Sequence, residues 1–304
     1  MRGFKLALIV SVMLACFVYG IGIGVGYYKW FPLEELRSLK KSASGVGGNA
    51  TFSTIVSRSD VLEFIDGKEQ IECPNNTERL GVLVTFGQSN SANSASYRVR
   101  SDEVNDVINF HSGNCYRASS PLLGATNTGG EWMSLTAQSL VDAGLYDTVV
   151  VMSLGIGGSP VAAWTEGSEL NLRLIDNLNA ISERYTVTDM LWHQGESDLK
   201  WGVSTSQYVA SFSDMVSTVR AANVTAQIFV SIASFCNGGD YPNNITNAQL
   251  EIINQISGVE LGVNTDELLP STMRHDNCHF NEQGQRLAAN EAAKLIVNYH
   301  ATNE

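Results

Sequence analysis

The pattern of apolar and polar positions changes once along the chain. Residues 6–28 (LALIVSVMLACFVYGIGIGVGYY) form one apolar run without a charged residue. From residue 81 onward, short apolar runs alternate with longer amphipathic stretches. The short runs predict strands over 81–86, 148–154, 189–193, 227–232 and, on a weaker pattern, 259–263. Between them, apolar residues recur at intervals of three and four. Leu170, Leu174, Ile175, Leu178 and Ile181 mark one helix; Tyr208, Val209, Phe212, Met215, Val216 and Val219 mark another over 205–222. A final helix is predicted over 282–299, with Ala288, Ala292, Leu295, Ile296 and Tyr299 on one face. Strands that alternate with helices imply the α/β class. The expected architecture is a three-layer α/β/α sandwich with a mainly parallel five-stranded sheet and right-handed crossovers.

The opening run is long enough to cross a hydrocarbon core as a helix. A cleavable signal peptide carries a shorter apolar stretch, roughly 7–15 residues. Met13-Leu14-Ala15 is a poor lead-in for lipid attachment at Cys16, and the run continues past it. An uncleaved transmembrane signal anchor therefore fits best. A charged stretch at 29–41 and the segment SASGVGGNA at 42–50 follow, with the composition of a flexible stalk. The expected organisation is a short segment 1–5, an anchor 6–28, a stalk 29–60 and one globular domain 61–304, without internal repeats.

Composition narrows the partners. Hydrophobic content of 44% supports a buried core, and a net charge of −12 argues against nucleic acid, since phosphate binding needs clustered Lys and Arg. Orientation of the anchor draws opposed signals. Arg2 and Lys5 precede it, whereas Lys29, Arg37, Lys40 and Lys41 follow, a bias that does not favour an external C-terminus. Beyond Cys16, however, Cys73, Cys115, Cys236 and Cys278 form an even set, as two disulfides in an oxidising compartment require; four free thiols are the alternative. The expectation is a single-pass membrane protein whose domain is extracellular, periplasmic or luminal. Asn-x-Ser/Thr tripeptides begin at Asn49, Asn75, Asn223 and Asn244. They carry little weight, because roughly four are expected by chance in a chain this rich in Asn, Ser and Thr. No Cys-x-x-Cys occurs, so a zinc site is not expected.

Four polar blocks fall at predicted strand ends, where open α/β sheets bind their ligands. Ser89 lies in Phe86-Gly87-Gln88-Ser89-Asn90 after the first strand, and Gly155-Ile156-Gly157-Gly158-Ser159 follows the second. His193-Gln194-Gly195-Glu196-Ser197-Asp198 follows the third, and Asp276-Asn277-Cys278-His279 precedes the final helix. A serine hydroxyl needs a base to accept its proton, and imidazole suits neutral pH. His279 is the candidate base, His275 its rival, and Asp276 is placed to orient the ring. Acyl transfer also needs donors for the oxyanion: the Ser89 N–H, a glycine N–H from Gly157 or Gly158, and the Gln194 amide are available. Each residue also has an ordinary reading as a cap, turn or strand-end polar group. Glu196 and Asp198 invite a paired-carboxylate glycosidase reading, but two positions apart on a loop they more plausibly fix Gln194. Trp164 and Trp201 are candidate sugar platforms, although core packing is the commoner role.

Together these blocks resemble the SGNH hydrolase superfamily, most closely its carbohydrate-esterase branch of sialate O-acetylesterases and acetylxylan esterases. The branch carries Gly-Gln-Ser-Asn, here Gly87–Asn90; a Gly-Gly turn shortly before Trp, here Gly157-Gly158 and Trp164; Trp-x-Gln-Gly-Glu-x-Asp, here Trp192 to Asp198; and Asp-x-x-His, here Asp276 and His279. The likeness spans about residues 80–298 in the same order. The superfamily's usual third-block Asn is replaced by Ser197, and the branch uses the Gln instead. The resemblance implies a flavodoxin-like SGNH fold, Ser89 as nucleophile, His279 as base, Asp276 as its orienter, and Ser89, Gly158 and Gln194 as oxyanion donors. It implies hydrolysis of O-acetyl esters on carbohydrate through an acetyl-enzyme, without metal or cofactor. A membrane-anchored O-acetyltransferase with the same triad and a non-catalytic carbohydrate-binding protein are the alternatives. Cys278, inside the last block, is expected to pair with Cys236 and staple the loop that carries the base.

Overall fold

A computed structural model describes residues 60–238 and 241–303. The expected anchor at 6–28 and all but the last residue of the expected stalk lie outside the described residues. Among the described residues no helix is long and apolar enough to cross a membrane.

The strands in chain order are β1 (Gln70–Ile71), β2 (Leu80–Gly87), β3 (Val107–His111), β4 (Asn114–Arg117), β5 (Thr148–Ser153), β6 (Asp189–His193), β7 (Gln227–Ile232) and β8 (Val259–Asn264). They form one sheet in the order β1-β4-β3-β5-β2-β6-β7-β8. From β3 to β8 every neighbouring pair is parallel, whereas β4 and β1 are antiparallel additions. The five predicted strands are β2, β5, β6, β7 and β8. They lie side by side as β5-β2-β6-β7-β8, the flavodoxin-like order.

The expectation of five strands is thus corrected to a mixed sheet of eight among the described residues. The three additional strands share one edge, and each lacked a signal. β1 has two residues. β3 carries a buried asparagine in its middle, Asn109, whose Oδ1 accepts from Leu123 N–H at 2.7 Å. That polar position interrupts the apolar period. The β3–β4 turn is Ser112-Gly113, with φ of 48° and 79°, which suits the twist of a two-residue hairpin. A disulfide between Cys73 and Cys115 joins β4 to the segment after β1.

Helices cover both faces. Alternation along β2 sends Val82, Val84 and Phe86 to one side, where they meet α2 (Glu169–Ser182), α4 (Thr205–Ala221) and α5 (Asn244–Gln255) through Leu174, Phe212 and Ile252. Leu83 points to the other side, as do Val149, Val151 and Leu191. There α1 (Met133–Asp142) and α7 (Glu282–Asn303) pack through Leu140, Ala288 and Ala292. The three layers follow from the two-residue strand period, which makes both faces of a central parallel strand apolar. The short helices α3 (Glu196–Trp201) and α6 (Thr265–Leu268) follow β6 and β8 directly.

The chain leaves β2 toward the β5 side and later returns to build the β6 side. The carboxyl end of β2 is therefore the switch point of the sheet, where loops diverge and a cleft opens.

Candidate active site

β2 ends at Gly87, whose φ is +124° and where a Cβ would collide with the His193 carbonyl at the end of β6. Only glycine lets the two strand ends converge this way. The next turn, Ser89–Ser91, is a single 3₁₀ turn that delivers Ser89 to the cleft.

His279, the candidate base, arrives from a tight loop before α7. Arg274 and Phe280 form an antiparallel bridge, His275 N–H donates to His279 O at 2.9 Å, and Asn277 at the tip has φ +63°. A Cys236–Cys278 disulfide holds this loop to the segment after β7, as expected, and Asn237 N–H donates to Asn277 O beside it at 2.9 Å.

Folding brings together three residues that are far apart in sequence. Ser89 Oγ lies 2.9 Å from His279 Nε2, and His279 Nδ1 lies 2.7 Å from Asp276 Oδ2. Asp276 Oδ1 accepts the His279 N–H at 2.7 Å and the Cys278 N–H at 3.0 Å. Burial pushes the Asp276 carboxyl up, but the two backbone donors and the His279 ring outweigh it and hold the group at about 2. The rival base His275 is turned elsewhere: its Nε2 bonds Ser94 O at 3.1 Å, and its ring stacks on His279 with centroids 5.9 Å apart. His275, Asp276 and His279 place donor atoms within 4.8 Å of one another, the spacing of a metal site, but these groups are engaged with Ser94, Ser89 and each other.

Gly157 and Gly158 both line the cleft. The Gly157 N–H donates to Thr126 Oγ1 at 2.8 Å, whereas among the described residues neither the Gly158 N–H nor the Ser89 N–H meets an acceptor. Gly158 has φ +71°, the left-handed region that turns its N–H away from the regular chain direction.

Gln194 lies beneath the cleft and is fully buried. Its Nε2 faces Asp198 Oδ2, Ser159 O at 3.1 Å and Gln88 Oε1 at 3.2 Å. Gln88 Oε1 also accepts from Ser197 N–H at 3.1 Å, so the two glutamines clamp the β2 and β6 turns together. Asp198 is fully buried and accepts from Val161 N–H at 3.1 Å. Burial lifts its carboxyl to about 6 against the opposing Gln194 and Val161 donors. Glu196 accepts from Asn90 Nδ2 at 2.8 Å. Each carboxylate therefore holds a different loop, which removes the basis of the glycosidase reading.

Trp164 is fully buried, edge-on to Phe86 and Trp192, with its Nε1–H donated to Ser159 Oγ at 3.1 Å. It is a core residue. Trp201 is 39% exposed but does not line the cleft.

The cleft has a volume of about 1370 Å³ and a wall rich in amides and hydroxyls, including Asn93, Ser94, Asn127, Thr128 and Asn237. Lys200 is the one Lys or Arg that lines it among the described residues. Sequence reasoning missed Gln88 and Asn90 as individual contributors; their only signal was their place on either side of Ser89.

A family profile described as "Carbohydrate esterase, sialic acid-specific acetylesterase" matches residues 79–298. No curated protein matches the chain. Among solved structures, a protein of Arabidopsis thaliana is similar with a TM-score of 0.60 at 17% identity, over 72% of this chain and 98% of that one. A carbohydrate acetylesterase from Xanthomonas citri is similar with a TM-score of 0.51 at 15% identity, over 74% of this chain and 57% of that one.

Proposed function

The chain belongs to the carbohydrate esterase family of sialic acid-specific acetylesterases, and from that membership we propose that Ser89, His279 and Asp276 carry its O-acetyl ester hydrolysis. The observation that carries the assignment is the continuous line Ser89 Oγ, His279 Nε2, His279 Nδ1, Asp276 Oδ2, with steps of 2.9 and 2.7 Å on the cleft wall. Ser89 Oγ attacks the acetyl carbonyl carbon while His279 Nε2 takes its proton. Asp276, ionised at any pH well above 2, keeps the His279 proton on Nδ1 and stabilises the imidazolium. The Ser89 and Gly158 N–H groups receive the oxyanion. Gln194, expected as a third oxyanion donor, does not line the cleft and has its amide engaged by Ser159, Gln88 and Asp198, so in this reading it supports the hole from behind by fixing Ser159, next to Gly158. His279 then gives its proton to the departing sugar oxygen, and water repeats the cycle on the acetyl-enzyme to release acetate.

The substrate we assign is O-acetylated sialic acid or an O-acetylated polysaccharide. The polar cleft wall supports a glycan, because sugar hydroxyls pair with amides and hydroxyls. The apolar run 6–28 supports attachment to a membrane, and two disulfides support an oxidising compartment for residues 61–304. Acetate release by the full chain from acetylated sialosides and acetylated xylan, beside Ser89→Ala, tests the reading. Turnover of one class that vanishes in Ser89→Ala is expected. Turnover that survives the substitution overturns the nucleophile assignment.

A further inference from the structure

The triad does not use a cluster of buried polar atoms beneath the nucleophile. Asn90 Oδ1, His193 Nδ1, Gln194 Oε1 and Glu196 Oε2 are all buried without a hydrogen-bond partner. All four are acceptors. His193 is neutral, since burial and then the nearby Arg274 charge hold its ring at about 3. Its Nε2 lies 3.0 Å from Thr265 Oγ1, a hydroxyl that already donates to Ile232 O at 3.1 Å. The ring proton is therefore on Nε2, and Nδ1 presents a lone pair 3.7 Å from Glu196 Oε1. A buried acceptor left without a donor loses the hydrogen bonds that water gave it in the unfolded chain. Glu196 Oε2 and the His193 Nδ1 lone pair, on side chains 3.7 Å apart, together lack a donor, which indicates a hydrogen that heavy-atom positions do not display.

We propose that Glu196 supplies this donor as a neutral carboxylic acid, and that through Asn90 it is a positioning residue fastening the nucleophile's turn to the loop of the base. Asn90 and Cys278 are the immediate chain neighbours of Ser89 and His279. Asn90 Nδ2 reaches both Glu196 Oε1 at 2.8 Å and Cys278 O at 3.3 Å. The Asn90 carbonyl accepts from Trp132 Nε1 at 2.6 Å, which pins the backbone of the same turn. Arg274 Nη1 donates to the same Cys278 carbonyl at 2.7 Å. Glu196 thus fixes the Asn90 amide, and the Asn90 amide sets the gap that Ser89 and His279 must bridge.

A proton on Oε2 turns an orphaned acceptor into a donor toward the lone pairs around it, directly or through one buried water. Burial favours that proton by raising the Glu196 carboxyl, against the Asn90 bond and the Arg274 and His279 charges. The ionisable groups facing this site are His193 on β6, Asp198 on α3, Tyr208 on α4, Asp266 on α6, and Arg274 and His279 on the loop before α7. Arg274 does not neutralise Glu196 by contact. Its guanidinium donates to the carbonyls of Leu269, Phe235, Cys278 and Thr265, between the rings of Phe235 and Phe280.

This inference rests on the esterase reading, so wild type and Ser89→Ala accompany every variant of the full chain. Rates are normalised to sites titrated with an organophosphonate, so that misfolded protein is not counted. Glu196→Ala and Asn90→Ala should each lower kcat about 100-fold, with KM changed less than about threefold, because they misplace the reacting atoms while the amide and hydroxyl wall of the cleft stays in place. The double variant should be no slower than about twofold beyond either single one, since both cut the same strap. Glu196→Gln keeps an acceptor for Asn90 and offers an uncharged N–H donor, so it should recover most of the loss. Wild-type kcat in Glu196→Ala overturns the positioning role; Glu196→Gln as slow as Glu196→Ala overturns the neutral acid. An independent readout is the infrared spectrum of wild type with ¹³C-labelled glutamate near neutral pH. A carboxylic-acid C=O band that disappears in Glu196→Gln is expected, and no such band in wild type overturns the proposal. That measurement needs no turnover, so failure of the esterase reading registers separately in the unsubstituted enzyme.

Discussion

Asp276→Asn separates the chemistry of the triad from the architecture of its loop. In the native loop, Asp276 Oδ1 accepts two backbone N–H groups at 2.7 and 3.0 Å, and Oδ2 alone faces His279 Nδ1. An asparagine can keep its Oδ1 on the backbone donors, so the loop and the Cys236–Cys278 staple persist. Its NH₂ then meets Nδ1 and forces the His279 proton onto Nε2. In that tautomer the ring cannot accept the Ser89 proton. A comparable tautomer reversal in a serine hydrolase costs about 10⁴ in kcat, or about 5 kcal/mol of barrier. Here the Asp276 side chain is 44% exposed, so water shares the role and the effect is discounted. A loss of about 10³-fold in kcat is expected, with KM and thermal stability nearly unchanged. Acetate release with titrated sites and a melting curve measure both. Loss of less than about tenfold would refute the tautomer argument. Loss accompanied by a collapse in stability would show that Asp276 acts through the loop instead.

Other outcomes follow from the same structure. The two disulfides close loops of equal sequence separation, 42 residues each. Removal of either should cost about 4 kcal/mol on the loop-entropy view, measured by denaturant melts. Only the Cys236→Ser/Cys278→Ser pair should also lower kcat, because Cys278 adjoins His279, the proposed base; equal loss of kcat in Cys73→Ser/Cys115→Ser would sink that distinction. Asp198 binds its proton more tightly folded (about 6) than its ordinary 3.8. Its contribution is therefore full below about pH 4 and is lost as pH rises through about 6, by about 3 kcal/mol. Asp198→Asn should flatten that part of the stability profile, and an unaltered slope would contradict the assignment. Trp164→Ala should destabilise by about 3–5 kcal/mol, as a core deletion does; unchanged stability with a raised KM would restore the sugar-platform reading.

Four of the five predicted strands were legible because each centres on at least three consecutive apolar residues, β8 only weakly because Glu260 and Gly262 interrupt it, and the amphipathic helices because their period is unambiguous. β1, β3 and β4 were not, since two- to five-residue strands with polar interruptions leave no period to detect. Ser89, Asp276 and His279 were legible from residue type and strand-end position. Gln194 was legible as important, but its direction was not: which way an amide points depends on Gln88, Ser159 and Asp198, which converge on it only after folding. The same holds for Asn90 and Glu196, separated by 106 residues and joined by one hydrogen bond.

By itself, the sequence determined the fold class and the strand-end blocks from which the candidate site is built, because periodicity and chemical type are local properties. Only the tertiary structure decided that Ser89 faces His279 and not His275, that Gly158 and not Gly157 has its N–H available, and that Trp164 is core. Those outcomes depend on which groups 30 to 190 positions apart compete for the same hydrogen bond, as the separations of Gly157 from Thr126 and of Ser89 from His279 show. That competition is settled only when the sheet brings its strand ends together.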